Sequence, residues 1–178
     1  NLLLVGAETS DLFAEQLGVI MNGTPGRQEC FITGSEVLGN VTGLWQTIQR
    51  GKAQPIEVRY PAMDTMRDAL CAATLTNWGA GKIAAIYGPV GSVFAAYHAP
   101  AVREFLNRVV RRIFSPQVEV DGPPTLETAL RKKDGKIILH LANSTAMQVA
   151  GDYAVNDFVP AIGPLRVSLR LDKPSRRV

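Results

Sequence analysis

The spacing of apolar and polar positions is sharpest between residues 83 and 114. Ile83-Ala84-Ala85-Ile86-Tyr87 is short, apolar and bounded by Lys82 and Gly88-Pro89, the pattern of a strand buried on both faces. From Pro100 onward Val102, Phe105, Leu106, Val109, Val110, Ile113 and Phe114 recur at helical intervals, while Arg103, Glu104, Arg108, Arg111 and Arg112 take the other side. Pro100 suits a first helical turn, where its missing N–H breaks no bond. A buried strand followed by a one-sided helix is the repeating unit of an α/β layer.

The chain before this stretch reads as more of the same layer. Leu2 to Val5 is a short apolar strand ending at Gly6, and Thr9 or Ser10 could cap a short helix that runs to Leu17 and closes at Gly18. Val19 to Asn40 shows no sustained helical period; Glu29 to Ile32 and Val37-Leu38 are its candidate strands, separated by Gly23, Gly26, Gly34 and Gly39. Ile56-Glu57-Val58-Arg59-Tyr60 alternates apolar with charged and reads as a half-exposed strand, stopped by Pro61. The apolar run from Asp68 to Leu75 leads into the turn Asn77–Lys82, which makes it one arm of an antiparallel hairpin whose other arm is the buried strand.

After Phe114 the character changes. Ser115-Pro116 breaks the helix, and the boundary between two domains is placed there, giving residues 1–115 and 116–178. Val118-Glu119-Val120-Asp121 alternates. Thr125–Arg131 and Lys136–Leu141 flank Asp134-Gly135, one of the stronger short-range hairpin signals. Asn143 to Pro164 is irregular, and Leu165, Val167, Leu169 and Leu171 then fall on one side of an alternating run. The second half therefore reads as small and antiparallel. The early strand at Leu2 and the strandless tail after Asp172 make both domains look incomplete, as in a piece of a longer protein.

Composition narrows the picture only a little. With 46% hydrophobic and 20% charged residues in 178, the chain has material for a core. The net charge of +3 is modest, and its basic residues are dispersed without interleaved aromatic rings, so they read as a solvated face and no nucleic-acid partner is expected. No apolar run is long enough to span a bilayer, and no membrane partner is expected either. Cys30 and Cys71 sit among apolar neighbours and read as small hydrophobes, with a disulfide between them left open.

Each candidate for chemistry meets a plainer explanation. Gly79-Ala80-Gly81-Lys82 lacks the glycine and the Ser or Thr of a phosphate loop, because position 76 is Thr and position 83 is Ile; a hairpin turn accounts for it. Gly88-Pro89-Val90-Gly91-Ser92 follows a strand, where a ligand loop would lie, yet position 90 is Val and the dinucleotide fingerprint is absent. Neither Cys30 nor Cys71 has the small flanking residues of a nucleophile elbow. His98 is expected in a loop or cap and His140 in a sheet, and the dispersed Cys and His residues show no metal-ligand spacing. Glu8, Asp11, Asp64 and Asp68 offer carboxylates but no recognisable pair for glycoside hydrolysis. No catalytic, cofactor-binding or metal-ligating residue is nominated, and no cofactor is expected.

Thr76-Asn77-Trp78-Gly79-Ala80-Gly81-Lys82-Ile83-Ala84-Ala85-Ile86, the helix ending Val109-Val110-Arg111-Arg112-Ile113-Phe114, and the opening Leu3-Leu4-Val5-Gly6-Ala7-Glu8 with Leu12 to Val19 together resemble the trimerisation domain of β-galactosidase-type glycoside hydrolases. Val118–Pro124, Leu130–Asn143 and Ile162–Leu169 are similar to the small C-terminal β domain of those enzymes. The resemblance implies an α/β fold for residues 1–115: an incomplete flavodoxin-like, class I glutamine-amidotransferase-like sheet without the amidotransferase nucleophile. A small antiparallel β domain is implied for 116–178. It further implies a bacterial glycoside hydrolase whose catalytic glutamates belong to a barrel not contained here, so none is carried over. The expected role is subunit assembly and support of that barrel, with the barrel and further copies of the chain as partners and an oligosaccharide or glycoside as the parent's substrate. Two other classes stay open: a carbohydrate-binding module, for which residues 116–178 offer only Tyr153 and Phe158 as aromatic rings, and a small-molecule enzyme of amidotransferase-like fold needing a reactive thiol.

Overall fold

The computed structural model describes residues 1–7, 13–64, 67–144, 148–150, 153–155 and 159–171. They divide between two compact units, Asn1–Ser115 and Pro116–Val178. Strand predominates in both, and helices are few.

In the first unit, four strands form one sheet: β1 (Leu2–Val5), β4 (Gln54–Arg59), β5 (Leu70–Trp78) and β6 (Gly81–Ile86), in the order β1-β6-β5-β4. β1 runs parallel to β6, with Leu3 opposite Ala84 and Val5 opposite Ile86. β5 and β6 are antiparallel, as are β4 and β5. The sheet is thus mixed, whereas the flavodoxin-like sheet implied by the resemblance is parallel throughout. The β5–β6 hairpin accounts for the difference: Asn77–Lys82 and Trp78–Gly81 remain paired, so the turn shortens to Gly79-Ala80, with Gly79 at φ +56.

β6 is covered on both faces, as its apolar run predicts. Ala84 and Ile86 join a core with Val102, Phe105 and Val109 of α3 (Pro100–Ile113). Ile83, Ala85 and Tyr87 face the other way, against Leu17 of α1 (Ala14–Leu17), Val19 and Ala53. Gly18 ends α1 in the left-handed conformation, φ 66; the capping residues expected at Thr9 or Ser10 lie outside the described residues. α3 begins at Pro100 and stops at Ile113. Phe114, expected on its apolar face, adopts extended geometry (φ −134, ψ 130) and leaves its ring 57% exposed.

The largest departure from expectation lies between residues 19 and 50. Two long strands, β2 (Val19–Thr33) and β3 (Leu38–Arg50), pair antiparallel over nearly their whole length. One end of this hairpin contributes Val19, Met21 and Ile48 to the Tyr87 side of the sheet; the other contributes Cys30, Ile32, Val41 and Trp45 to the α3 side. A ribbon that changes faces cannot keep one alternating stripe. A register shift between Asn22 and Gly26 breaks the period further, so only fragments read as strands from sequence. The backbone N–H of Gln46 donates to the Tyr87 carbonyl at 2.9 Å, tying the crossing ribbon to the end of β6.

At that crossing the Trp45 ring lies flat against Gly88, where a Cβ would fall 2.2–2.4 Å from three ring atoms. Only glycine fits. α2 (Val90–Tyr97) follows, capped by His98 in the left-handed conformation.

The second unit carries β7 (Val118–Asp121) paired antiparallel with β12 (Arg166–Leu169), β8 (Leu126–Lys133) with β9 (Lys136–Asn143), and β10 (Gln148–Ala150) with β11 (Tyr153–Val155). Asp134 (φ 50) and Gly135 (φ 74) form the two-residue β8–β9 turn, the geometry that pair is suited to. Val167 and Leu169 alternate along β12 as expected, yet both remain exposed, and among the described residues of this unit none is buried.

Two outcomes follow from this packing. Gly88→Ala forces the added methyl into the Trp45 ring and should destabilise the first unit by about 3 kcal/mol in urea unfolding, the upper end of overpacking costs. Burial pushes the Tyr87 hydroxyl, bonded to Thr74 at 2.6 Å, from 10.0 up to about 12. Between those values the unfolded chain ionises while the folded one keeps its proton, so stability falls as pH rises from 10 towards 12, by at most about 1.4 kcal/mol per pH unit. Tyr87→Phe should flatten that decline in urea titrations at pH 9 and 11; an unchanged slope would contradict the assignment.

Candidate functional site

In open sheets with parallel strands, ligands settle beyond the carboxyl ends of those strands. Here that region lies after β1 and β6, where Gly6 N–H donates to the Ile86 carbonyl at 3.0 Å and the chain turns through Gly88-Pro89 into α2. A groove of about 410 Å³ remains, lined by Val5, Gly6, Ala7, Leu44 and the Gly88–Ser92 turn. Its one hydroxyl, that of Ser92, donates to Pro89 O at 2.9 Å within its own turn. Among the described residues no acid, imidazole or thiol lines the groove, and Glu8 and Asp11 lie outside them. Leu44 of the crossing hairpin forms part of its wall.

The sequence candidates are scattered accordingly. His98 caps α2, its N–H bonded to Phe94 O at 2.8 Å and its ring set edge-on to Phe94 at 5.4 Å. His140 is exposed on β9, opposite Ala129. Asp64 and Asp68 are exposed in the segment between β4 and β5, while Glu8 and Asp11 lie outside the described residues. Tyr153 stands in β11, and Phe158 lies outside the described residues. Cys30 and Cys71 form no disulfide; Cys30 is buried, and Cys71, partly exposed, lies in β5 with its thiol towards Ala73 O at 3.5 Å. Among the described residues no three His, Cys, Asp or Glu side chains gather as metal ligands would.

The concentrated polar chemistry is structural, and sequence reading missed most of it. Arg59, expected on the solvent side of a half-exposed strand, is fully buried. Its guanidinium stacks on Trp45 at 4.7 Å, and Nη1 donates to Gln28 Oε1 at 2.5 Å and meets Cys30 Sγ at 2.8 Å. Nη2 reaches Thr47 Oγ1 at 3.5 Å, and Nε has no partner among the described residues. Gln46, also fully buried, donates to Asn22 O, Gly23 O and Thr47 O and so holds the irregular stretch of β2 to β3. Arg59 reads as polar surface in a one-dimensional pattern. Register shifts in β4 near Glu57, with cover on both sides of that strand, override the alternation.

Arg108, expected on the polar side of α3, works as a tie. Its Nε and Nη2 hold Glu57 in a bidentate pair at 2.8 and 2.9 Å, and Nη2 also donates to Thr33 O at 2.7 Å. The hydrogen bond to Glu57 raises the Arg108 pKa. Glu104 accepts from the Ser35 backbone N–H, which holds its carboxyl below the usual range. These groups join α3 to β4 and to the β2–β3 connection. None of them faces a cavity described above.

The burial of the two thiols sets an accessible test of any thiol-based chemistry. Native protein treated with iodoacetamide should label Cys71 slowly and leave Cys30 unmodified until denaturant is added, as read by peptide mass spectrometry. Rapid native labelling of Cys30 would contradict the packing around Arg59.

Compared with protein-family profiles, curated proteins and solved structures, the chain matches none.

Proposed function

We propose that this chain is a non-catalytic, C-terminal portion of a bacterial β-galactosidase-type glycoside hydrolase, serving subunit assembly and support of a catalytic barrel that it does not contain. The observation that carries the proposal is the groove at the carboxyl ends of β1 and β6: Trp45 packs on Gly88 there, and among the described residues the groove presents no group able to act as acid, base or nucleophile. The motif resemblance of the Thr76–Ile86 hairpin and the Pro100–Phe114 helix supports the same reading. On this reading the mixed sheet of residues 1–115 is a variant of the flavodoxin-like, amidotransferase-like layer. Residues 116–178 are then the small β domain, the natural partners are the barrel and further copies of the chain, and the parent's substrate is an oligosaccharide or glycoside.

The competing enzyme reading needs a reactive thiol near a base. It is disfavoured by the burial of Cys30 against the Arg59 guanidinium and by the partial burial of Cys71. A carbohydrate-binding module would need several exposed rings around a polar groove in the second unit, and the sequence of residues 116–178 supplies only Tyr153 and Phe158.

The isolated chain, free of contaminating hydrolase, should cleave aryl-galactosides and aryl-fucosides no faster than buffer. Light scattering should give a mass above the 19.2 kDa of one chain. Turnover well above background would overturn the non-catalytic reading, and a strictly monomeric chain would overturn the assembly role.

A further inference from the structure

A second concavity of the first unit has the opposite chemistry to the groove beside Gly88. It measures about 390 Å³ and lies between the tip of the β5–β6 hairpin and the last turn of α3. Three of its lining side chains carry charge, and all three are cationic: Lys82, Arg111 and Arg112. Among the described residues no Asp or Glu lines it. The carboxamides of Asn1 and Asn77 and the ring of Phe114 complete the polar and apolar parts of the wall.

The walls are held in place by specific bonds. Asn77 and Lys82 are directly paired across β5 and β6, so their side chains emerge on the same side of the hairpin. The Asn1 carboxamide bridges the two elements: Nδ2 donates to Ile113 O at 2.5 Å, and Oδ1 accepts from the Lys82 backbone N–H at 3.0 Å. The first of these bonds satisfies a carbonyl at the negative end of α3 that would otherwise repel an anion. Cations in a last helical turn complement the helix dipole, which accounts for the sign of Arg111 and Arg112. It does not account for Lys82, which arrives from the sheet. With Lys82 added from the sheet, the lining of the hollow is positive and attracts negative charge.

The geometry points to an anion-binding site here, for a small organic molecule carrying a phosphate, sulfate or carboxylate group. Lys82 and Arg112 are exposed and can turn their donors onto such a group, Arg112 in the bidentate manner of a guanidinium. The Asn1 and Asn77 amides supply neutral hydrogen bonds to a hydroxylated body, and Phe114 offers an apolar face to it. The volume lies in the range that small-molecule sites occupy. The site is separate from the groove beside Gly88 and does not depend on the assembly reading.

Calorimetry and thermal melting of the full-length chain, at constant ionic strength set with chloride, test this with four probes: inorganic phosphate, inorganic sulfate, glucuronate and uncharged glucose. At least one of the three anions should bind saturably and raise Tm, while glucose does neither. Response to phosphate or sulfate alone identifies a free or esterified oxyanion as the ligand group; response to glucuronate identifies an acidic sugar. Lys82→Ala and Arg112→Ala should each weaken binding about tenfold, the effect of losing one charge-assisted contact. Both replace exposed side chains, so their melting in chloride should stay close to that of the parent, and Lys133→Ala in the second unit should bind as the parent does. Absence of a saturable response to all three anions would overturn the site, as would binding that survives the Lys82→Ala, Arg112→Ala double substitution.

Discussion

The Trp45 ring, resting on the bare backbone of Gly88 and covered on its other flank by the Arg59 guanidinium, is the contact on which the first unit is organised. It stands at the end of β6, the strand that is buried on both faces. Around it the β2–β3 ribbon passes from one side of the sheet to the other, with Gln46 N–H bonded to Tyr87 O at the crossing. Two apolar clusters that a four-stranded sheet would keep apart are thereby closed by one continuous hairpin. A Cβ at residue 88 would press the Trp45 ring and its ribbon away from the strand end.

Arg59 makes this arrangement costly as well as tight. A guanidinium stays protonated when buried, and taking it out of water is expensive unless its donors and charge are met. Here Gln28, Thr47 and Cys30 take donors, and the Trp45 π face provides the electrostatic complement, without a carboxylate in the described set. Such a cluster makes one packing of the ribbon far better than its neighbours, because any slip strands a charge in an apolar interior.

Much of the first unit was legible as local pattern. The Ile83–Tyr87 run, the Pro100 helix start and the Gly18 stop each depend on interactions within a few residues, and each stands where the chain's own periodicity puts it. The Asp134-Gly135 turn is equally local, since two consecutive positive φ angles suit that pair and few others. The 19–50 hairpin was not legible, because a strand that changes faces midway and carries a register shift shows no single period. Arg59 was misread for a related reason: alternation reports which side of a strand a residue occupies but not whether a second layer covers that side. Phe114 satisfies the helical spacing and still falls outside the helix, because the backbone turns extended ahead of Ser115-Pro116.

The amino-acid order alone determined the elements whose stability is local: short apolar strands between turn residues, an amphipathic helix with proline at its start, and a two-residue turn. It offered no spaced motif of acids, imidazoles and thiols. Only the tertiary structure decided which polar residues would be sealed in, that Trp45 would pack on Gly88 at the end of β6, and that Lys82 would line one hollow with Arg111 and Arg112. Those outcomes join residues dozens of positions apart, and burial and convergence of charge exist only once the intervening chain has folded.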